Sequence, residues 1–452
     1  MDIYVDPATG TDDDADFRGQ AASPYRSLAR AAERAAVVEL ASGLPPGSFL
    51  GTIFAAAGTY APPVEGFPII VPPSYDLVGA GSDRSIIEFT GETRTTTDPT
   101  PITYWGGEAV YVGRAMRGLT VRARPAPSYT CRGMMGVLVQ NDRSTVEDVT
   151  VDFDRTMSAP PDERGRYDLS WMLNLFATSI DLVLLSSTFR DGRGTNFGVA
   201  LRGCTGMVTR CTFETAGPSF DGDPGGLLVR DITVRGAGSC EVRRNSRLEA
   251  SQIGDLAFSM FTNLWVSREG AVVGPGNMVE AINIFAYGDA EIVGNTLSHG
   301  FTFQVTGGVR VADNDIAPWA AHRLLEIEYN PFFSGIPVVE RNRFVAPERI
   351  GGHYVNPIVV RASADFGGGT SAGGNDFGAL FQSSSGVARS TPDGIERWGV
   401  IAIDPDEAPI SVIRFDDNLW DDLYPLDRIE SSRFQIITPP TFLSVANPMP
   451  AP

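Results

Sequence analysis

Short β-rich segments punctuate the chain from residue 116 to residue 420: MRGLTV, VEDVTV, LSSTF, TRCTF, RRNSR, GPGNMV, VGNTL, ADNDI, ERNRF, GGNDF and DDNLW. All but RRNSR end on a hydrophobic residue. Aligned there, Leu119, Val149, Ser187, Cys211, Asn245, Asn277, Asn295, Asn314, Asn342, Asn375 and Asn418 share one column. Two are aliphatic, two are small, and the rest are asparagine. The intervals run from 18 to 43 residues, too irregular for a rigid period but suited to coils of roughly 18 to 25 residues carrying loops of unequal length. A parallel β-helix is built this way. A buried Asn at the same turn of each coil bonds the backbone and amide of its neighbours about 4.8 Å away, and Asn itself tolerates the left-handed turn conformation.

A different period marks the N-terminal region. SLARAAERAAVVEL puts Leu28, Ala31, Ala32, Ala35 and Val38 on one helical face, and Pro24 after Ser23 reads as the helix start. Such a helix would plug an open end, where bare strand edges invite aggregation. FPIIVPPSYDLVGAG and SIIEF then read as the first coils, and the Pro-rich TPPTFLSVANPMPAP as a cap on the far end. The expected organisation is an N-terminal strand and capping helix over 1–45, a parallel β-helix over 46–425 and a C-terminal capping tail over 426–452.

The glycine-rich ADFGGGTSAGGNDF loosely matches a dinucleotide fingerprint through Gly367, Gly369 and Ala372. That fingerprint needs strand, turn and helix together. Here NDFGALF resumes a strand pattern, so Gly367 to Gly369 and Gly373 to Gly374 read as tight turns between sheets. LVGAGSDR fails in the same way, because SIIEF follows it.

Composition narrows the chemistry. The 452 residues are 42% hydrophobic, ample for a core. All 36 basic residues are Arg, which removes Schiff-base lysines, Lys general bases and the P-loop lysine. A formal charge of -19 opposes nucleic acid and leaves uncharged or cationic ligands, or a metal-bridged acidic glycan, as easier partners. Cys131, Cys204, Cys211 and Cys240 lack the CxxC spacing of zinc or redox sites and read as small buried thiols, one disulfide remaining open. No apolar run reaches the roughly 18 residues of a membrane span, and no charged n-region with an apolar h-region precedes IYV, so the expectation is that an export signal was removed or that any export takes another route.

IYVDPATGTDDDADFRGQAASPYRSLARAAERA, IIVPPSYDLVGAG, DFGGGTSAGGNDF and IRFDDNLWDD resemble the signature stretches of bacterial right-handed parallel β-helix proteins of the pectin lyase-like superfamily, in a branch labelled as a domain of unknown function. The resemblance covers nearly the whole chain. It implies an all-β, single-chain right-handed parallel β-helix with an N-terminal helical cap. Superfamily members include pectate lyases, polygalacturonases, alginate epimerases and phage tailspikes, which implies a polysaccharide or cell-surface glycan as ligand and an extracellular or cell-surface location. A virion spike or fibre is the alternative. The enzyme reading expects a monomer and the spike reading an oligomer, most simply a trimer.

Equivalent positions of successive coils would lie about 4.8 Å apart along a lateral face. Three residues after Val149, Ser187 and Cys211 come Asp152, Arg190 and Glu214, with Asp191 beside Arg190. Carboxylates one coil apart would suit retaining glycoside hydrolysis and two coils apart inversion. With Ca²⁺ between them and Arg as base, the same set could abstract a proton beside a uronate carboxylate, as the resemblance to pectate lyases implies. The other reading is a ladder of exposed salt bridges. Asp221 and Asp223, in SFDGDPGG, resemble polygalacturonase aspartates, although the rest of that family's set is missing; a Ca²⁺-binding or turn-stabilising loop is the competing reading. His299, His322 and His353 suggest no histidine-rich metal site. TDDDAD and DDNLWDD could hold Ca²⁺ or simply face water. Trp171, Trp265, Trp319 and Trp398 are candidate sugar platforms or core residues.

Overall fold

The computed structural model describes residues 1–13, 18–45, 47–90, 92–95, 103–124, 131–153, 172–191, 198–236, 238–254, 262–267, 270–317, 319, 323–345, 358–378, 387–390, 396–399, 401–403, 410–420, 426, 429–431 and 443–450. Among the described residues the chain is all-β with one α-helix and its strands run mainly parallel; it divides into two compact units, Met1–Ser239 and Cys240–Pro452.

In the first unit, successive chain segments pair in register. Thr120 lies opposite Thr150, Thr150 opposite Thr188, Thr188 opposite Thr212 and Thr212 opposite Thr233. The column residues just before them, Leu119, Val149, Ser187, Cys211 and Ile232, are all buried. In the second unit the same offset holds, with Met278 opposite Thr296, Thr296 opposite Asp315 and Asp315 opposite Arg343. Isolated bridges continue this row through Asp376 to Leu419.

The asparagines form a buried ladder. Asn277 Oδ1 accepts from Ser251 N at 3.0 Å, Asn314 Oδ1 from Asn295 N at 3.0 Å, Asn342 Oδ1 from Asn314 N at 3.0 Å and Asn418 Oδ1 from Asn375 N at 2.9 Å. Within the ladder each Nδ2 donates back to a backbone carbonyl of the preceding rung and onward to the next amide, as Asn314 does to Ile292 O at 2.9 Å and to Asn342 Oδ1 at 3.0 Å, while Asn418 donates to Asp416 O at 3.0 Å. Every amide thereby satisfies groups that a buried corner would leave without partners. Two expectations are corrected here. Asn245 lies within the strand Gly238–Glu249, and Ser251 holds the column position. Nor is Asn the left-handed residue: the residue before each column member is, from Ala250 at φ 45° to Gly276 at φ 81°, with Asp148, Ser186, Arg210, Asp313, Arg341 and Asp417 in between. The chain turns the corner one residue early, and the column side chain then ties it down. In the first unit Ser187 Oγ takes the acceptor role, receiving Val149 N at 3.2 Å.

Stacked rings fill the interior, including Phe189 on Phe213 at 5.4 Å and Phe344 on Phe377 at 5.3 Å. Cys204, Cys211 and Cys240 are buried free thiols, and burial pushes Cys211 up to about 12. The glycine-rich turn cradles the protein's own acid: Asp365 accepts from Gly367 N at 3.1 Å and Ser371 N at 3.0 Å. A Cβ on Gly367 would lie 1.8 Å from Asp416 O, so only glycine fits there.

The helix Leu28–Ser42 starts at Ser27, whose side chain accepts from Arg30 N, and not at the earlier Ser23–Pro24 pair. Leu28, Ala31, Ala32 and Ala35 are buried, and the helix packs against the strands Ile3–Val5, Gly51–Ala55 and Ile69–Ile70. Its first turn receives the buried Glu65 carboxylate, which accepts from Leu28 N at 2.8 Å and Ala29 N at 2.7 Å. Among the described residues no helix is long and apolar enough to cross a membrane.

Candidate functional site

The fixed offset from the column places Asp152, Arg190 and Glu214 on one outward row. The full row reads Glu88, Arg122, Asp152, Arg190, Glu214 and Arg235, each opposite the next. Its charge alternates at every step. Arg190 pairs with Glu214 at 3.2 Å and Arg122 with Asp152 at 3.9 Å. Asp152 and Glu214 are two rungs apart, about 10 Å at the usual strand spacing. Asp191 follows in a left-handed turn and donates its N–H to Glu214 O at 2.8 Å. Asp221 and Asp223 lie elsewhere, on the strand Pro218–Arg230, where Asp221 faces Arg202 and the Asp223 carboxylate lies against Gly203. Among the described residues no group of three or more His, Cys, Asp or Glu side chains is arranged to hold a metal ion.

Charge alternation recurs in the second unit, where Arg310 bridges Glu291 at 3.2 Å and Glu340 at 2.7 Å, and Arg341 meets Asp313 at 2.7 Å. Like charges on neighbouring rungs would repel, so alternation is what a parallel stack favours in a charged outer row. Three described acids of the two acidic runs are also engaged internally. Asp12 accepts from Arg26 N and Ser27 N, Asp13 pairs with Arg18, and Asp416 accepts from Ser444 Oγ.

His299 is fully buried. Its Nε2 lies 2.8 Å from Arg323 O; a carbonyl only accepts, so Nε2 carries the proton and Nδ1 is left with a bare lone pair, without a hydrogen-bond partner among the described residues. Burial lowers its pKa to about 4, so the ring is neutral at physiological pH. His322 and His353 lie outside the described residues, as does Trp171.

The second unit carries a further outward face. Asn263, Trp265 and Ser267 lie opposite Asn283, Phe285 and Tyr287. Leu264, Val266, Ile284 and Ala286, which alternate with them, are fully buried, so the aromatic rings project outward. Trp265 lies 4.3 Å from Phe285 and 5.8 Å from Tyr287, and Tyr287 stacks on Phe333 at 5.6 Å. Beyond them the two rows continue as Gln304 then Glu326, and Thr306 then Glu328. Glu326 is 6% exposed; it accepts from Thr302 Oγ1 at 3.3 Å and pairs with Arg323 and Arg361, while Glu328 pairs with Arg361. The face therefore passes from rings to the half-buried Gln304 amide, with Thr306 beside it buried at 1% exposure, then to arginine-paired carboxylates. Trp265 was one of four tryptophans with platform potential; Phe285, Tyr287, Phe333, Glu326 and Glu328 were not singled out. NLWVS and NIFAY, 20 residues apart, carry the signal: asparagine, ring, then hydroxyl at alternate positions.

No family model matches the chain, and no curated protein matches it. Among solved structures, the A-module of the mannuronan C-5 epimerase AlgE4 from Azotobacter vinelandii is similar at 14% identity and TM-score 0.33, over 93% of this chain and 92% of that one. The AlgE6 A-module from the same organism is similar at 13% identity and TM-score 0.29, over 94% and 95%. A GH136 lacto-N-biosidase from Eubacterium ramulus is similar at 10% identity and TM-score 0.33, over 75% of this chain and 67% of that one.

Proposed function

We propose that this chain is a right-handed parallel β-helix of the cell surface or extracellular space that binds an extended polysaccharide along an outer face of its second unit. One observation carries the reading: Trp265, Phe285, Tyr287 and Phe333 form an outward stack of rings. Aromatic faces offer apolar area to the C–H faces of pyranose rings at little entropic cost. Gln304, on the next rung, adds a half-buried amide of the kind that fixes a sugar's orientation. The charged row through Asp152, Arg190 and Glu214 supports a structural role, because its carboxylates face arginines in alternation.

Affinity electrophoresis tests the proposal. Gels containing neutral or acidic polysaccharides should retard the wild-type protein, and Trp265→Ala with Tyr287→Ala should abolish the retardation. Equal retardation of wild type and double variant would refute the ring stack as the binding face.

A further inference from the structure

At the Phe333 end of the ring stack the loop 329–337, YNPFFSGIP, encloses a cavity of about 220 Å³ lined by Glu328, Tyr329, Asn330, Phe333, Ser334 and Ile336 among others. Its walls are fixed by backbone contacts. Asn330 Oδ1 accepts from Phe332 N at 3.0 Å and Asn330 O from Phe333 N at 3.1 Å. Ser334 O accepts from Gly308 N at 3.1 Å, and a Cβ on Gly335 would lie 2.7 Å from Gly308 Cα, so the loop is seated against the strand end as closely as glycine allows. At the rim Tyr329 is 48% exposed, and Phe332 in the same loop is 89% exposed.

We propose that this cavity is a subsite for one uncharged pyranose unit of the polysaccharide; the inference rests on the ring-stack reading above. Its size is below the roughly 300–1,000 Å³ of pockets for drug-sized ligands and gives room for a single ring rather than a chain segment. Phe333 belongs to both the cavity and the ring stack, so a glycan lying on Tyr287 runs directly into it. Asn330 and Ser334 supply the hydrogen-bonding chemistry that hydroxyl-rich ligands need. The charge selects against acidic sugars: Glu328 lines the cavity, whereas Arg361 and Arg323, which pair with Glu328 and Glu326, are not among its lining residues, and the whole chain carries -19. A uronate carboxylate placed here meets a like charge.

Isothermal titration of the full chain with neutral hexasaccharides (gluco, manno and galacto series) and with hexagalacturonate and hexamannuronate tests the inference. Ser334→Trp, which fills the cavity from an exposed position, and Tyr329→Ala should each weaken the preferred neutral ligand at least tenfold. Wild type should bind the oligouronates at least tenfold more weakly than that ligand, and Glu328→Gln should narrow the gap. If both cavity variants bind as wild type while Trp265→Ala loses binding, or if an oligouronate is preferred, the subsite is refuted and the ring-stack reading stands. If wild type binds none of these sugars, both fall together.

Discussion

Replacing Asn314 with leucine would change the side-chain shape little while removing an amide with four hydrogen bonds. Its Oδ1 accepts from Asn295 N and Asn295 Nδ2, each at 3.0 Å, and its Nδ2 donates to Ile292 O at 2.9 Å and Asn342 Oδ1 at 3.0 Å. Asn295 is 4% and Asn342 1% exposed, so water cannot readily replace what is lost. The Asn295 N–H loses its side-chain acceptor, at a cost of about 1–3 kcal/mol for a buried donor left unsatisfied. The other three groups each lose one bond, together about 2–4 kcal/mol at the usual net value per bond. Asn314→Leu should therefore cost about 3–7 kcal/mol. Asn314→Ser should cost less, because Ser187 shows a hydroxyl accepting from the backbone in the same position of another rung. Urea unfolding followed by circular dichroism gives the totals, and hydrogen exchange at the Asn295 amide gives the local effect. A loss under about 1 kcal/mol for leucine, with the Asn295 amide still protected, would refute the ladder as a stabilising element.

Two pH dependences of opposite sign follow. His299 titrates near 4 in the fold against 6.5 for an ordinary histidine, so its contribution is complete above about pH 6.5 and is lost as pH falls toward 4, roughly 3 kcal/mol in all; thermal melts from pH 4 to 7 should be flatter for His299→Gln, and parallel profiles would contradict the assignment. Glu65 is raised to about 7, chiefly by burial and despite the Leu28 and Ala29 N–H groups. Its protonated form is favoured by folding, so wild type should lose stability relative to Glu65→Gln as pH rises from about 4.5 through 7, and a gain over that window would refute the reading.

The asparagine column was legible because a buried primary amide must find several partners, and only a repeated corner supplies them at Asn277, Asn295, Asn314, Asn342, Asn375 and Asn418. Asn245 misled because RRNSR lacks the closing hydrophobic residue, while a smaller hydroxyl at Ser251 performs the rung's task. The left-handed residue was misplaced by one because its side chain varies, Gly, Asp, Ser, Arg or Ala, and leaves little pattern. Asp152, Arg190 and Glu214 were found together because they sit three residues after the column, where register carries over from coil to coil. The ring stack lies beyond a second corner, separated from the column by loops of unequal length, so no constant offset reaches it. Glu326 and Glu328 sit on the fourth strand of that face. The cavity depends on how loop 329–337 meets Gly308, a tertiary contact that no local periodicity encodes.

A crystal structure of the chain with a bound neutral oligosaccharide tests the central claim most directly. Sugar rings should lie on Trp265, Phe285 and Tyr287, with the terminal unit inside the cavity beside Phe333. Sugar bound instead along Asp152, Arg190 and Glu214, with the aromatic rings bare, would contradict the account.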